Sequence, residues 1–279
     1  MYLNKSINTS ESYVLFPFYK NDSILENAPV CGMSLKKAGS MRFRWAETND
    51  NRKAFFDCLT KNENNNCVCP MPVELIHSQI VYDFKNENDN YQKTGDGIIT
   101  TNKKLMPTIT VADCVPIYFY DEKTGVFGIV HSGWKGTGII KNALELAEKN
   151  YNAHAEDFSV IIGPHIHSCC YIVNQERAEY FASNFTERCV EPLEENGTCY
   201  CGGKGLPITW NNGSGKLYRL SLEEANLAVL KKIGVKEKNI SLYTDCTCCN
   251  EIFGSNRRQT AYGQEFCVQA AFIFNNQDF

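Results

Sequence analysis

The sequence predicts one mixed α/β domain that occupies the whole chain, residues 1–279. Segments rich in β-branched and aromatic residues, which favour strands, recur along its length. Between them lie segments whose apolar residues recur every three or four positions, as on the buried side of a helix. No internal repeat and no convincing linker divides the chain, so we expect a single domain.

The first half is predicted to contain mainly strands. One helix begins at Asn49 or Asp50, either of which can cap its first turn, and buries Phe55, Phe56 and Leu59. A turn at 123–125 joins residues 117–120 and 126–130 in a hairpin. The predicted strands before this turn cover residues 13–16, 73–84, 95–101 and 107–121.

In the second half, predicted helices alternate with strands. Ser221 followed by Glu224 is a typical pattern of a helix N-terminus. The segment 191–215 is expected to be irregular because it carries several glycines. The predicted helices cover 139–150, 174–188 and 220–233, and the predicted strands 157–162, 240–244 and 268–274.

Composition and charge exclude several classes of protein. The formal net charge of −4 provides no general basic field for nucleic acid or an anionic membrane. No apolar run reaches the roughly 18 residues that a membrane-spanning helix needs. The first 21 residues lack the basic flank and apolar stretch of a signal peptide. We therefore expect a cytoplasmic protein without nucleic-acid or membrane partners.

The chain contains 14 cysteines, many for such a protein. It is longer than the small secreted domains that depend on disulfides, so we expect most of the thiols to be reduced. We interpret the cysteine clusters as lacking the C-x-x-C spacing of structural zinc sites. The C-x-C pairs could still meet in space and hold a second metal, which is not the outcome we expect. The clusters are Cys67-x-Cys69, Cys169-Cys170, Cys199-x-Cys201 and Cys246-x-Cys248-Cys249.

Three residues are candidate metal ligands. His77 and His131, two of only five histidines, lie in or beside predicted strands, and Cys114 lies within another. Two imidazoles and a thiolate suit zinc, with copper as the alternative. Three protein ligands leave a fourth position open, as catalytic zinc sites require. The three are far apart in sequence, and spacing alone leaves open that each is an ordinary core or surface residue.

Asp113, beside Cys114, could orient a metal-bound histidine or carry a proton. Successive side chains of a strand point to opposite faces, so Asp113 and Cys114 can share a site only if the strand breaks. Pro116 is the candidate cause of such a break. The alternative is that Asp113 is a turn or cap residue.

Further residues could contact an anion or a substrate. The glycine-rich loop 131–138 leads into a predicted helix, where backbone N–H groups and a lysine can hold an anion. Arginine binds phosphate through its planar fork, although most arginines are solvated surface residues. The candidate phosphate contacts are Arg52, Arg257 and Arg258, and the candidate substrate contacts are Lys135, His165 and His167.

Six segments occur in the order and approximate spacing of a known family. They are VELIHSQ, GDGIIT, ADCVPI, HSGWKG, IGPHIHSCCY and GSNRRQ. Over residues 52–274 the chain resembles the YfiH-like laccase-domain family, once described as polyphenol oxidases and now as purine nucleoside phosphorylases. The resemblance implies an α+β fold, with mixed sheets sandwiched between helices in α/β/β/α layers. It also implies that His77, Cys114 and His131 are zinc ligands, and that Arg52, Arg257 and Arg258 occupy basic positions of the family.

The chain departs from the family pattern near the expected site. Ser78 follows His77 where the family has glycine, and Ile172 stands where it commonly has glutamate. His165 and His167 replace small residues. We expect Ile172 and this histidine pair to be the departures that affect substrate preference.

The resemblance implies cleavage of adenosine, inosine or 5′-methylthioadenosine by phosphate, with adenosine deamination as a second activity. Three alternatives remain open from the residues. The first is a copper-dependent polyphenol oxidase, although five histidines are few for a multicopper laccase. The second is a metal-free hydrolase with Cys114 as nucleophile. The third is a zinc-holding interaction module. The oligomeric state does not follow from the sequence, and a monomer is compatible with it.

Overall fold

The structure is a computed structural model that describes residues 2–4, 8–21, 23–60, 68–193, 199–201, 204–206 and 216–275. Within these ranges lie five α-helices and twenty short strands. The helices are α1 (Asp50–Thr60), α2 (Ile139–Tyr151), α3 (Gln175–Asn184), α4 (Leu222–Lys232) and α5 (Asn256–Ala261). The strands of the first half are β1 (Tyr2–Asn4), β2 (Asn8–Thr9), β3 (Tyr13–Phe16), β4 (Tyr19–Lys20), β5 (Ser23–Ile24), β6 (Val30–Ser34), β7 (Cys69–Pro72), β8 (Val81–Asp83), β9 (Gly97–Thr100), β10 (Leu105–Val111), β11 (Val115–Tyr120) and β12 (Phe127–Ser132). Those of the second half are β13 (Ser159–Ile162), β14 (Ile172–Asn174), β15 (Val190–Pro192), β16 (Cys199–Cys201), β17 (Lys204–Leu206), β18 (Leu217–Leu220), β19 (Ile240–Tyr243) and β20 (Gln269–Phe274).

Two large sheets form the centre of the fold. Seven strands associate in the order β1-β19-β13-β11-β12-β9-β8, and six in the order β2-β3-β6-β20-β10-β7. Both sheets are mixed. In the seven-stranded sheet β13 runs parallel to β19, whereas β11 runs antiparallel to β12. In the six-stranded sheet β10 runs parallel to β7 and antiparallel to β20. In a smaller sheet, β14-β18-β15, strand β14 leads directly into α3, and β15 and β18 lie between α3 and α4 in the chain.

The two large sheets bury apolar side chains against each other. Phe16 and Ile273 of the six-stranded sheet belong to the same buried cluster as Tyr118 and Ile129 of the seven-stranded sheet. The Tyr118 hydroxyl donates to the Gly32 carbonyl at 2.9 Å, linking the sheets by a hydrogen bond. Burial of this polar tip is therefore accompanied by a hydrogen bond, as buried hydroxyls require.

Helices cover both outer faces of this sandwich. Ile140 and Leu144 of α2 pack, with residues of α3 and α4, on the seven-stranded sheet. On the opposite side Phe55 and Phe56 of α1 pack against Phe272 of the six-stranded sheet. The resulting α/β/β/α layers confirm the predicted α+β fold class.

The predicted helix starts are also confirmed. The Asn49 side chain accepts a hydrogen bond from the Arg52 backbone N–H at 3.0 Å, so Asn49 caps α1. At α4 the Ser221 hydroxyl accepts from the Glu224 backbone N–H at 3.1 Å. These contacts satisfy backbone donors that have no partner within the first turn of a helix.

Several element bounds were predicted wrongly. In the segment 73–84 only β8 is a named strand, because Ile76 and Ile80 lie on the surface, 48% and 43% exposed. The predicted strand 107–121 is interrupted between β10 and β11, as a shared site for Asp113 and Cys114 requires. Pro116 is not the cause of this interruption, because it lies within β11.

Other predictions differ in smaller ways. His131 lies within β12 and does not begin a loop. The helix predicted over 174–188 ends at Asn184 and is followed by a short 3-10 helix, Glu187–Cys189. Most of the irregular segment predicted over 191–215 lies outside the described residues. In the part of the chain that the structure describes, no helix is long and apolar enough to cross a membrane.

Candidate metal centre and its cavity

Three distant segments bring His77, Cys114 and His131 together. One ligand atom of each lies within 4.8 Å of the others. His77 lies in the loop before β8, Cys114 at the break between β10 and β11, and His131 near the end of β12. The two imidazole rings meet edge to face, with centroids 5.1 Å apart. His77 is exposed and His131 is buried, so the cluster opens to solvent on one side.

The carboxylate of Asp96, which is fully buried, holds two of these segments in place. One oxygen accepts from the His77 backbone N–H and pairs with His131 Nδ1, both at 3.0 Å. The other accepts from the Ser78 backbone N–H and hydroxyl at 2.6 and 2.7 Å. The contact to Nδ1 leaves Nε2 as the nitrogen with which His131 can bind a metal.

The charges of the cluster favour a thiolate. Burial by itself raises the pKa of Cys114, but the His131 charge and hydrogen bonds from both histidines lower it to about 7. Burial likewise lowers the pKa of His131, yet the Cys114 thiolate and the Asp96 carboxylate raise it to about 10. For Asp96, burial is outweighed by the hydrogen bonds from His131 and Ser78, which lower its pKa. A metal ion that displaced the His131 proton would find a thiolate beside it.

The donor set fits a metal ion. One sulfur and two imidazole nitrogens converge, and a carboxylate orients one imidazole, as is usual for protein zinc ligands. Gly133 makes room for the sulfur, because a Cβ at this position would lie 2.9 Å from Cys114 Sγ. The predicted trio is thus a candidate metal site; its ligand role remains a prediction.

A cavity of about 520 Å³ adjoins the cluster. This volume is within the usual range of small-molecule sites. The three candidate ligands form part of its wall, and three arginines form another part. The side chains that give it polarity and charge are His77, Thr110, Asp113, Cys114, His131, Asn256, Arg42, Arg44 and Arg257, and the aromatic ones are Phe43, Tyr171 and Phe266.

Asp113 lines this cavity but does not orient a histidine through any described hydrogen bond; Asp96 does so. The buried Asp113 carboxylate accepts from the Thr247 hydroxyl and the Arg257 backbone N–H, both at 2.7 Å. Burial raises its pKa, against the effect of these donors. Asp113 therefore ties the strand break to the start of α5.

Arg257 is the one of the three predicted phosphate contacts that reaches the cavity. Its guanidinium donates to the Ile172 carbonyl at 3.1 and 3.2 Å and lies 5.6 Å from the centre of the Tyr171 ring. Burial lowers its pKa. A half-buried cation at the edge of a cavity is a favourable contact for an anion.

Arg52 and Arg258 do not line the cavity, and the structure gives both a packing role. The Arg52 guanidinium lies 4.9 and 4.8 Å from the ring centres of Phe43 and Phe56 and donates to the Met41 carbonyl. Arg258 is buried and donates to the carbonyls of Thr247, Cys248, Asn250 and Phe253. The phosphate role predicted for these two residues lacks structural support.

Lys135 and the two candidate histidines also lie outside the cavity. Lys135 lines a separate pocket of about 280 Å³. Ile166, between His165 and His167, is the residue of that loop that lines the cavity. His165 and His167 instead converge with Glu223, and burial lowers the pKa of His165 to about 3.

The sequence reasoning missed Asp96, Arg42 and Arg44. Asp96 stands in the segment GDGIIT, where an acidic residue between two glycines precedes a buried strand. An acidic residue between two glycines, directly before an apolar run, is the sequence signal that could have indicated it. Arg42 and Arg44 lie where the resemblance is loose, in a segment without helical or strand periodicity.

One family model, described as "Multi-copper polyphenol oxidoreductase laccase", matches residues 44–273 of the chain. The chain belongs to this family. The predicted resemblance is thereby confirmed, and its motifs lie inside the matched residues. The family description does not identify the metal of this chain.

Curated relatives carry the name of a phosphorylase. "Purine nucleoside phosphorylase YlmD" of Geobacillus stearothermophilus is 33% identical over 166 residues, which are 58% of this chain and 54% of the relative. "Purine nucleoside phosphorylase LACC1" of Mus musculus is 37% identical over 196 residues, 68% of this chain and 39% of the relative. The chain thus spans about half, or less, of the length of these relatives.

Solved structures share the fold. A Bacillus licheniformis structure titled hypothetical protein YfiH aligns with a TM-score of 0.73 at 24% identity, covering 96% of this chain and 97% of that one. The YlmD structure from Geobacillus stearothermophilus aligns with a TM-score of 0.72 at 22% identity, covering 98% and 100%. At these identities the comparison establishes the laccase-domain fold alone.

Replacing the Asp96 carboxylate tests its role as the support of the site. Asp96→Asn is expected to weaken zinc binding about 10- to 100-fold, because an amide accepts at its single oxygen only and presents a donating NH2 group where Asp96 has its second oxygen. Competition titration with a chelator measures the affinity. Asp121→Asn is the matched control: Asp121 is equally buried and accepts from the Lys123 N–H and the Thr124 hydroxyl, away from the cavity. Unchanged zinc affinity in folded Asp96→Asn would contradict this role.

Gly133→Ala tests the room around the sulfur. The added Cβ would displace Cys114 Sγ from its present position, and we expect zinc affinity to fall on the order of tenfold. Gly125→Ala is the control, since its φ of 72° strains any alanine while nothing lies within 4 Å of the added Cβ. Both variants should melt at a lower temperature, but only Gly133→Ala should lose zinc affinity. Equal zinc affinities in the two variants would show that Gly133 does not contribute to the site.

Proposed function

We propose that this chain is a zinc-dependent purine nucleoside phosphorylase that cleaves adenosine, inosine or 5′-methylthioadenosine with phosphate. The observation that carries the proposal is one cavity whose wall combines the His77, Cys114 and His131 cluster with cationic side chains. The phosphorylase names of the relatives support the reaction class.

Phosphorolysis of an N-glycoside requires three things of the protein. The phosphate must be held at the sugar, the purine must be stabilised as it leaves, and competing water must be kept out. The transition state resembles an oxocarbenium ion, so positioning and electrostatics supply most of the rate enhancement. The cavity offers cations for phosphate and aromatic surface for a base.

Arg257 is the proposed phosphate contact. Its orientation is fixed by two hydrogen bonds to the Ile172 carbonyl, and Arg42 and Arg44 lie on the same cavity. A guanidinium whose position is set in advance loses less entropy when it binds phosphate. Tyr171 and Phe266 provide the aromatic surface on which a purine can stack.

His77, Cys114 and His131 are the proposed zinc ligands, and a zinc ion held there would supply a Lewis acid that polarises the purine. Asp96 keeps the His131 ring in one orientation through Nδ1. Asp113, whose pKa burial raises, can exchange a proton at its carboxylate where it lines the cavity. These two carboxylates thus have separate roles, one in orientation and one in proton exchange.

The alternatives have less support. Copper with a polyphenol substrate agrees with the words of the family description, but five histidines are few for a multicopper centre. None of the residues that line the cavity is a methionine, the usual axial ligand of a blue-copper site with one cysteine and two histidines. Deamination of adenosine is not part of the relatives' names. The hydrolase alternative requires that Cys114 act as a nucleophile, and a thiolate bound to a metal ion is not free to do so.

The first test is phosphate-dependent release of purine from the three nucleosides, with zinc measured in the same sample. Wild type should form pentose 1-phosphate only when phosphate is present, and Cys114→Ala should lose both the zinc of this site and at least about 100-fold in rate. Cys58→Ser, at an exposed cysteine of α1, is the control and should keep both. Cleavage by zinc-free protein would refute the proposal, and inosine formed from adenosine would show deamination instead.

Arg257→Gln tests the phosphate contact. Loss of a charged hydrogen bond of about 1.5–3 kcal/mol should raise the KM for phosphate roughly 10- to 100-fold and leave zinc content unchanged. The control is Arg188→Gln, since the Arg188 side chain is 80% exposed and pairs with Glu224. An unchanged KM for phosphate, or an equal change in the control, would show that Arg257 does not bind phosphate.

A further inference from the structure

A second group of possible metal ligands lies outside the cavity. His165 and His167 belong to the loop between β13 and β14, and Glu223 is the second residue of α4. One ligand atom of each lies within 4.8 Å of the others. His165 is fully buried, and the other two residues are half-buried. None of the three lines the cavity that adjoins the His77 cluster.

A hydrogen bond fixes which ring nitrogen of His165 can bind a ligand. Its Nδ1 lies 2.8 Å from the Gly163 carbonyl, which can only accept, so Nδ1 carries the proton and donates it. In the neutral ring Nε2 then has a lone pair. This buried atom has no hydrogen-bond partner among the described residues. Because unpaired buried polar atoms are rare in folded proteins, His165 Nε2 points to a ligand.

His167 offers a second nitrogen of the same kind. The two ring centres are 4.6 Å apart, and the buried His167 Nε2 likewise has no hydrogen-bond partner within the described part of the chain. Burial first, and then the neighbouring His167, lowers the pKa of His165 to about 3, and burial lowers the pKa of His167. Both imidazoles are therefore neutral at physiological pH, which is the form that binds a metal ion.

Glu223 adds a carboxylate to these two nitrogens. Burial, and then the charge of Glu224, raises the pKa of Glu223, so its surroundings favour the arrival of a cation. The residue lies in the first turn of α4, where the helix dipole favours a negative charge. Among the described residues Glu223 has no ion pair, whereas the adjacent Glu224 pairs with Arg188 at 3.2 Å.

The backbone holds both histidines in place. The His165 carbonyl accepts from the Thr247 N–H at 3.0 Å, and the His167 N–H donates to Cys246 Sγ at 3.3 Å. A tight turn follows, in which the Cys170 N–H donates to the His167 carbonyl at 3.0 Å. Contacts other than a metal therefore set the positions of the two rings, and a metal ion can bind with little reorganisation.

The neighbouring cysteines do not form a closed site of four thiolates. The sulfur atoms of Cys169, Cys170, Cys246 and Cys249 lie within 4.8 Å of one another. Cys170 is in a disulfide, however, so one of the four thiolates of such a site is missing. Cys246 and Cys249, in the loop after β19, do have the C-x-x-C spacing that we interpreted as absent, but this spacing alone does not complete a site.

We propose that His165, His167 and Glu223 bind a zinc ion that links the loop between β13 and β14 to α4. Two imidazole nitrogens and one carboxylate oxygen are a donor set that zinc takes in proteins. The site shares no residue with the cluster of His77, Cys114 and His131, so it is additional to that cluster. It gives the two histidines a role other than the substrate contact predicted from the sequence.

A zinc ion at this position would also steady one wall of the cavity. Ile166 lies between the two histidine ligands and lines the cavity. Its N–H donates to the Asp113 carbonyl at 2.9 Å. With zinc bound on both sides of Ile166, this part of the wall is fixed relative to α4.

The experiment measures zinc in the Cys114→Ala variant, which removes the other proposed site. Native mass spectrometry should find one zinc ion per chain. Adding Glu223→Gln should weaken its binding at least about 10-fold in competition with a chelator, because an uncharged amide is a poorer ligand than a carboxylate. Adding Glu224→Gln is the matched control, since Glu224 lies in the same helical turn and is not one of the three ligands. It should leave the affinity unchanged.

The same comparison in chains that keep Cys114 applies if Cys114→Ala fails to fold. Glu223→Gln should then release one zinc ion at a chelator concentration at which Glu224→Gln releases none. Equal zinc affinities of the two glutamate variants would overturn the proposal. So would a folded Cys114→Ala variant that binds no zinc, or that holds iron in its place.

Cobalt bound in place of zinc identifies the donor atoms. In Cys114→Ala, cobalt held by two nitrogens and an oxygen should absorb in the visible range without an intense sulfur-to-metal charge-transfer band, and zinc should displace it. A strong charge-transfer band would assign the ion to the thiols of Cys169, Cys246 or Cys249 and would overturn the proposal. Because neither zinc affinity nor the cobalt spectrum depends on nucleoside cleavage, this proposal and the proposed function can fail separately.

Discussion

The site depends on one buried carboxylate. Asp96 has no solvent exposure, and burial of an unpaired charge would cost several kcal/mol. Its two oxygens instead receive the His77 and Ser78 backbone N–H groups, the Ser78 hydroxyl and His131 Nδ1. Because these donors come from an irregular loop and from β12, satisfying the charge also sets the positions of both histidines. The loop that carries His77 adopts a φ of 58° there, which such local hydrogen bonds can maintain.

A second constraint acts at the strand break. Asp113 has a φ of 86°, unusual for a residue with a side chain and unfavourable by about 1 kcal/mol or more. Its carboxylate accepts from Thr247 and from the Arg257 backbone, and its carbonyl from Ile166. These contacts hold the conformation that ends β10 and lets Cys114 lie beside the histidines. The strain is thus located where the candidate site needs an irregular backbone.

The sequence predicts features that depend on residues close together in the chain better than features that depend on distant ones. Local signals succeeded: the Asn49 and Ser221 caps and the β11–β12 hairpin depend on residues a few positions apart. The strand predicted through His77 was wrong because β propensity does not distinguish buried from exposed apolar residues, and Ile76 is exposed. The convergence of His77, Cys114 and His131 came from the family resemblance, since contacts between distant strands leave no spacing pattern.

The arginines of α5 also show what the sequence does not predict. Arg257 and Arg258 are adjacent, and no property of the sequence separates them. Asn256 begins α5, so the two side chains leave the helix in different directions. One guanidinium faces the cavity, while the other is surrounded by carbonyls of the cysteine-bearing loop. The two arginines of this short helix therefore have different roles. Arg258 donates to the carbonyls of the loop that contacts Asp113. The Asp113 carboxylate in turn accepts from the Arg257 backbone N–H. Loop, carboxylate and cavity cation are consequently one connected unit, and a change in the loop should reach the cavity through Asp113.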